Sequence, residues 1–224
     1  MTSDARTWTI PGLAETGAQA RILNAALRCF ARYGYARIRM TDIAREAAVS
    51  RTALYNTYPG LEDVFKALVQ RVNQGVRHAV IDAARTEGDV ATRLQAVIAA
   101  RVSWAFDALH LSEHGRELID AKNALCGNAG ADTEAQFRGL LARLIAEGGT
   151  PPAASASAAA VIVKCLPGLM EGQTSEAAAR AQVAQFVDVF AAGLAAGARA
   201  ARARPKAAKK AKAHKPSVNT RLRP

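Results

Sequence analysis

The sequence predicts an all-α protein of two unequal domains. Alanine is abundant while strand-forming runs of Val, Ile and Thr are scarce, so composition leans helical. Apolar residues recur at three- and four-residue spacing through most of the chain, the period of a helix with one buried face. With 224 residues there is enough chain for a substantial core, and half of it is apolar although only 5% is aromatic.

The elements follow in order. Residues 1–17 hold Pro11, Gly12 and Gly17 and no helical stripe, which predicts a disordered N-terminal arm. From Ala18 the residues Ile22, Leu23, Ala26, Leu27, Phe30 and Ala31 make one apolar face, and Gly34 closes that helix as its C′ residue. Thr41 reads as the N-cap of a short helix to about Ala47, with Asp42 placing negative charge in its first turn. Ser50 caps a second short helix, Arg51 to about Thr57, and Pro59-Gly60 breaks the chain after it. A long helix then carries Leu61, Val64, Phe65, Leu68, Val72, Val76 and Val80 on one side and ends before Gly88. Five further helices are predicted, at about 90–109, 113–125, 132–147, 155–171 and 176–197, with Ser112 as one cap and Gly127–Gly130 as one turn. From Arg199 onward Ala, Lys, Arg and Pro alternate without a stripe, a composition that predicts disorder. The expected organisation is an arm (1–17), a small domain (18–60), a larger helical domain (61–198) and a disordered basic tail (199–224).

The net charge of +11 is unevenly placed: residues 1–60 carry +4, residues 61–198 carry −3 and residues 199–224 carry +10. Basic ends around a mildly acidic body suit a protein that touches phosphate at its N-terminal end, rather than a uniformly basic one. Cys29, Cys126 and Cys165 are odd in number and far apart, which suggests neither a disulfide framework nor a CxxC metal site, and they read as small buried apolar groups. The N-terminus lacks a basic patch followed by an apolar run, so an intracellular, cytoplasmic protein is expected. The most apolar stretch, Ala153 to Met170, contains Ser155, Ser157, Lys164 and Pro167, too polar and broken for a membrane span.

Between Thr41 and Tyr58 the chain reads T-D-I-A-R-E-A-A-V-S-R-T-A-L-Y-N-T-Y. Ile43, Ala44, Val49 and Leu54 supply small and medium apolar groups to hold two short helices at a steep angle, and Ala47 and Ala48 leave room for the close approach. The second helix then presents Arg51, Thr52, Ala53, Tyr55 and Asn56 outward, with its N-terminus aimed at any nearby phosphate. His110 and His114 are four apart with carboxylates nearby, but Ser112 between them reads as a cap and HExxH is absent, so no metal site is expected. No nucleophile elbow, phosphate loop or dinucleotide fingerprint is present, so neither catalysis nor a cofactor is expected.

The run from Ile22 to Val69, with A-L-x-x-F-A-x-Y-G-Y, I-A-R-E-A-A-V-S and L-Y-N-T-Y-P in that order, resembles the DNA-binding domain of the TetR family. Two departures stand out. Ala48 occupies the place of the usual turn glycine, suggesting a turn without a positive-φ residue, and Leu61 replaces a lysine and removes one phosphate contact.

The resemblance implies a homodimer that lays the helix beginning at Arg51 into the major groove of each half of a palindromic operator. Arg51, Thr52 and Ala53 would face bases, and Thr41, Tyr55 and Asn56 or Thr57 the backbone. It further implies repression relieved by a small molecule entering the larger domain, with bulky Trp104, Phe106, Phe137 and Met170 as pocket candidates. Dimerisation would use the helices at about 155–171 and 176–197, through a stripe of Val183, Phe186, Val187, Phe190 and Leu194. The tail reads as a sequence-independent DNA clamp. The rival reading is a constitutive, nucleoid-type DNA-binding protein without ligand response.

Overall fold

A computed structural model describes residues 17–110, 112–173 and 175–212 of the chain. Every regular element among them is a helix: α1 (Ala18–Tyr33), α2 (Met40–Glu46), α3 (Arg51–Thr57), α4 (Leu61–Ala83), α5 (Val90–His110), α6 (Gly115–Glu147), α7 (Pro152–Met170) and α8 (Glu176–Lys212). The helical class expected from composition is what the chain adopts. The expected arm lies outside the described residues, apart from Gly17.

In the head, α1 buries its predicted stripe, with Ile22 and Phe30 almost wholly out of water. Gly34 ends α1 at φ 78° with its N–H donating to the Phe30 carbonyl at 2.9 Å. The backbone there demands glycine, and a Cβ would also displace the Glu117 carboxylate, 2.2 Å away. Helix α2 starts at Met40, which puts Thr41 inside the first turn rather than at the cap. The first turn is closed instead from within, by the Asp42 carboxylate accepting the Arg39 N–H at 3.0 Å. Ser50 caps α3 as expected, its hydroxyl accepting the Ala53 N–H at 3.0 Å.

The turn between α2 and α3 corrects the reading of Ala48. It takes φ 52°, the left-handed conformation, in a residue that carries a Cβ. The geometry of the turn therefore overrides the residue's preference, at about 1–2 kcal/mol of backbone strain.

Two cores divide the molecule, and they do not divide it at residue 60. The head core extends from α1 through Val64, Phe65, Leu68 and Val69 in the first half of α4, while Val76 and Val80 in its second half belong to the body core. Trp104 of α5 packs against both cores, and Leu118, Ala121 and Leu125 of α6 close the head core from the body side.

Three further expectations change. The separate helices at 113–125 and 132–147 are one continuous α6 of 33 residues, running straight through Gly127 and Gly130. A helical glycine costs only about 1 kcal/mol relative to alanine, less than strong formers on both sides return. Helix α8 runs to Lys212, past the expected boundary at 198 and with Pro205 inside it. Residues 213–224 of the expected tail lie outside the described residues.

Finally, the stripe assigned to a subunit interface faces inward. Val183 and Val187 are buried in the body core, and Phe186, Phe190 and Leu194 pack against it. The α8 face that carries them is held on α5 by a Gln95–Asp188 hydrogen bond of 2.6 Å.

Helix α7 is long and apolar enough by length and composition to cross a membrane, with a mean hydropathy of 1.6. It sits instead with Ser155, Ala158, Ala159, Ile162 and Leu166 against the body. The Ser155 hydroxyl is turned back onto the Thr150 carbonyl at 3.1 Å. Only 22% of its apolar window is buried, which leaves an open face.

Candidate nucleic-acid interface and body cavity

The short helix α3 is anchored by one side chain. Leu54 is fully buried, backed by Ile43 and Ala44 of α2 and by half-buried Val49 of the turn. With that face committed, Arg51, Thr52, Ala53, Tyr55, Asn56 and Thr57 all stand exposed on the other, with Tyr55 46% accessible. An aromatic ring that open on a helix seven residues long has no packing role of its own. The structure thus brings together every expected contact residue of α3.

Two members of the set are constrained. The Thr57 hydroxyl donates to the Ala53 carbonyl at 2.9 Å, so it is satisfied within its own helix. Thr41, in the first turn of α2, is half-buried rather than capping. Arg37 and Arg39 are exposed on the loop that leads into α2. Tyr58, by contrast, is buried, with a hydroxyl that finds no partner among the described residues.

What holds this surface steady lies behind it. Phe30, Tyr35 and Phe65 form a ring cluster, with centroids 5.7, 5.3 and 4.8 Å apart, that ties α1, its following loop and α4 together. Arg28 and Glu46 join α1 to α2 through an ion pair at 2.6 Å. From the body, Glu117 near the start of α6 accepts the backbone N–H of Ala36 at 3.0 Å, with His114 Nδ1 3.4 Å from its other oxygen. Residues 81 apart in sequence meet there, a contact that no local pattern announces.

Comparison with known proteins agrees with this geometry. Residues 22–68 match the family model described as bacterial regulatory proteins, tetR family. The whole fold is similar to solved structures. One is a transcriptional regulator from Cytophaga hutchinsonii ATCC 33406, at 18% identity and TM-score 0.61 over 79% of this chain and 95% of that one. Another is a TetR-family transcriptional regulator from Streptomyces coelicolor, at 18% identity and TM-score 0.58 over 80% and 96%. A third, the fatty acid degradation regulator FadR from Bacillus halodurans, shares 20% identity at TM-score 0.58 over 77% and 95%. At these identities the likeness of the body is one of fold alone.

Residues 22–68 form a TetR-type DNA-binding domain. Its helix-turn-helix is α2, the Ala48 turn and α3.

The body of the chain holds a cavity of about 210 Å³ between α4, α5 and α6. Val76, Val80, Ile81, Phe137 and Leu140 give it apolar walls, and Arg77, Arg101 and Arg143 give it cationic ones. Of the four bulky residues expected to form a pocket, only Phe137 lines it. Phe106 is buried in the body core, Trp104 bridges the two cores, and Met170 packs at the body's edge. Size singled out core residues. The arginines were the missed signal, because a charge facing inward on α5 is invisible without the packing.

Among the described residues no group of His, Cys, Asp and Glu could hold a metal ion. Cys29 and Cys126 are not poised for redox chemistry. Burial pushes the Cys29 thiol up to about 11, and burial likewise raises Cys126, the opposite of what a reactive thiolate needs.

Proposed function

We propose that the protein is a sequence-specific repressor, released from a palindromic operator when a small molecule occupies the body cavity. The observation that carries this reading is the outward set on α3: one arginine, one aromatic hydroxyl and small methyl-bearing side chains, all exposed on a helix pinned by Leu54. Arg51 forks onto guanine O6 and N7, and Thr52 and Ala53 offer methyl contact to thymine. Thr41, Tyr55 and Asn56 face phosphate oxygens, which fix register without reading sequence.

A dimer places two such helices in successive major grooves, and α7 and α8 supply the surface for it. Val161 on α7 is 47% exposed and Val189 on α8 is 71% exposed, apolar side chains left uncovered beside an α7 whose window is mostly open. Gly168, Gly193 and Gly197 have open space where a Cβ would stand, which allows close approach of a second pair of helices.

Coupling runs along α6. Phe137 lines the cavity and Glu117, twenty residues earlier on the same helix, holds the loop after α1, a span of about 30 Å at 1.5 Å per residue. A shift of α6 on ligand binding thereby reaches the head and changes the spacing of the two α3 helices.

Selection of binding sites from random DNA tests this reading. A palindrome should emerge. Arg51→Ala should cost about 1–3 kcal/mol and relax preference at one position per half-site, while Tyr55→Phe weakens all sequences alike. A protein with no preferred sequence would instead be of the constitutive, nucleoid type.

A further inference from the structure

The cavity has a chemical character that narrows its ligand. Arg101 projects from α5 at its wall, half-buried, and among the described residues no hydrogen bond or ion pair holds its guanidinium. Burial pushes its pKa down, and the attraction of exposed Glu134 only partly offsets that effect. A guanidinium stays protonated in proteins, so a desolvated one without an acceptor is a standing demand for an anion. Arg77 from α4 and Arg143 from α6 line the same space, and none of the described lining residues is acidic. With Arg101 half-buried and Arg77 and Arg143 exposed, the three cations give the cavity a net positive field.

Thr133 and Gln136 add polar groups to the wall, and Val76, Val80, Phe137 and Leu140, with Ile81 40% exposed at the mouth, make the rest of it apolar. A dry cavity of about 150 Å³ holds benzene, so 210 Å³ has room for about eight or nine non-hydrogen atoms. A dinucleotide or a long acyl chain is too large, and a bare inorganic anion leaves Val76, Val80, Phe137 and Leu140 without contact.

We infer that the cavity binds a compact apolar monocarboxylate, its carboxylate on Arg101 and its hydrocarbon body against Val80, Phe137 and Leu140. This rests on the reading of the body as the effector-sensing domain. Arg101 presents paired N–H donors to the two carboxylate oxygens, a geometry a lysine could not reproduce. Arg77 and Arg143, exposed at the same cavity, draw the anion in.

The test uses the full-length protein and three probes of one shape: benzoate, neutral benzamide and cationic benzylamine. Benzoate should raise the thermal unfolding midpoint, and the midpoint should keep rising with the logarithm of benzoate concentration above its Kd. Benzamide should bind at least about tenfold more weakly and benzylamine not measurably. Arg101→Gln should weaken benzoate by more than about tenfold and leave benzamide unchanged, and Arg101→Lys should restore it only in part. Equal stabilisation by benzoate and benzamide, or none by benzoate, overturns the inference on wild-type protein alone, whatever the variants do. Operator binding measured in the same samples separates the two readings. Benzoate binding without operator release upholds the carboxylate site and counts against the effector role; sequence-specific DNA binding with no benzoate site does the reverse.

Discussion

The head and the body solve the same packing problem with opposite results. The head closes completely: its core residues from Ile22 to Val69 are sealed from both sides, and what it leaves outside is the exposed, mostly polar face of α3. The body does not close. It keeps a cavity with arginines in its wall and leaves valines of α7 and α8 in water. A finished core with a polar face suits a rigid reader of DNA, and an unfinished one suits a domain completed by a ligand and by a second subunit.

The sharpest way to break this contrast is at the open face. Val189→Asp alters a side chain 71% exposed, so the fold should survive, yet sedimentation should show monomers. Operator affinity should then fall at least about a hundredfold, roughly 2.7 kcal/mol. A dimer that persists in Val189→Asp at micromolar concentration removes α8 from the interface.

The junction comes next. Glu117→Ala removes the carboxylate that receives the Ala36 N–H and should lower unfolding stability by about 1 kcal/mol, the value of a partly exposed charged hydrogen bond. Its ligand response should weaken too. Denaturant melts with no change would mean that head and body are not joined there.

Within the head, Tyr58→Phe should raise stability by about 1 kcal/mol, because it deletes a buried hydroxyl without a partner. Operator affinity should stay the same, and a loss would make Tyr58 a contact residue rather than core. The smallest effect is expected at the turn. Ala48→Gly relieves φ 52° but loosens the unfolded chain, for a net gain of about half a kcal/mol. A loss of stability would show the alanine methyl to be packed.

How much of this was legible depends on how local each feature is. The α3 surface is written in one contiguous stretch, because capping by Ser50 and inward packing by Leu54 leave only one set of residues free to face out. The Ala48 turn was misread for the same reason in reverse: residue type suggested ordinary backbone, but the steep crossing of α2 and α3 fixes φ regardless. In the body, patterns of one helix do not say which neighbour a stripe meets. Val183 and Val187 carry a periodic apolar face that fits a partner subunit or α5 equally well, and packing chose α5. Arg101 was illegible, since only the position of α4 and α6 around it makes it a cavity wall. Gly127 and Gly130 looked like a stop because composition says nothing about cooperativity along 33 residues.

The sharing of α4 between two cores bears on how such molecules can be recombined. A reading head cut at the Pro59-Gly60 break would lose Phe65 and Leu68 from its own interior, along with the cover that Trp104, Leu118 and Leu125 provide. Grafting this DNA specificity onto another sensor therefore requires a splice inside α4, between Val69 and Val76, and a recipient whose helices offer matching apolar cover and a carboxylate for the Ala36 amide. The head is portable only with its half of that helix, and a chimera built on loop boundaries would expose the ring cluster of Phe30, Tyr35 and Phe65 to water.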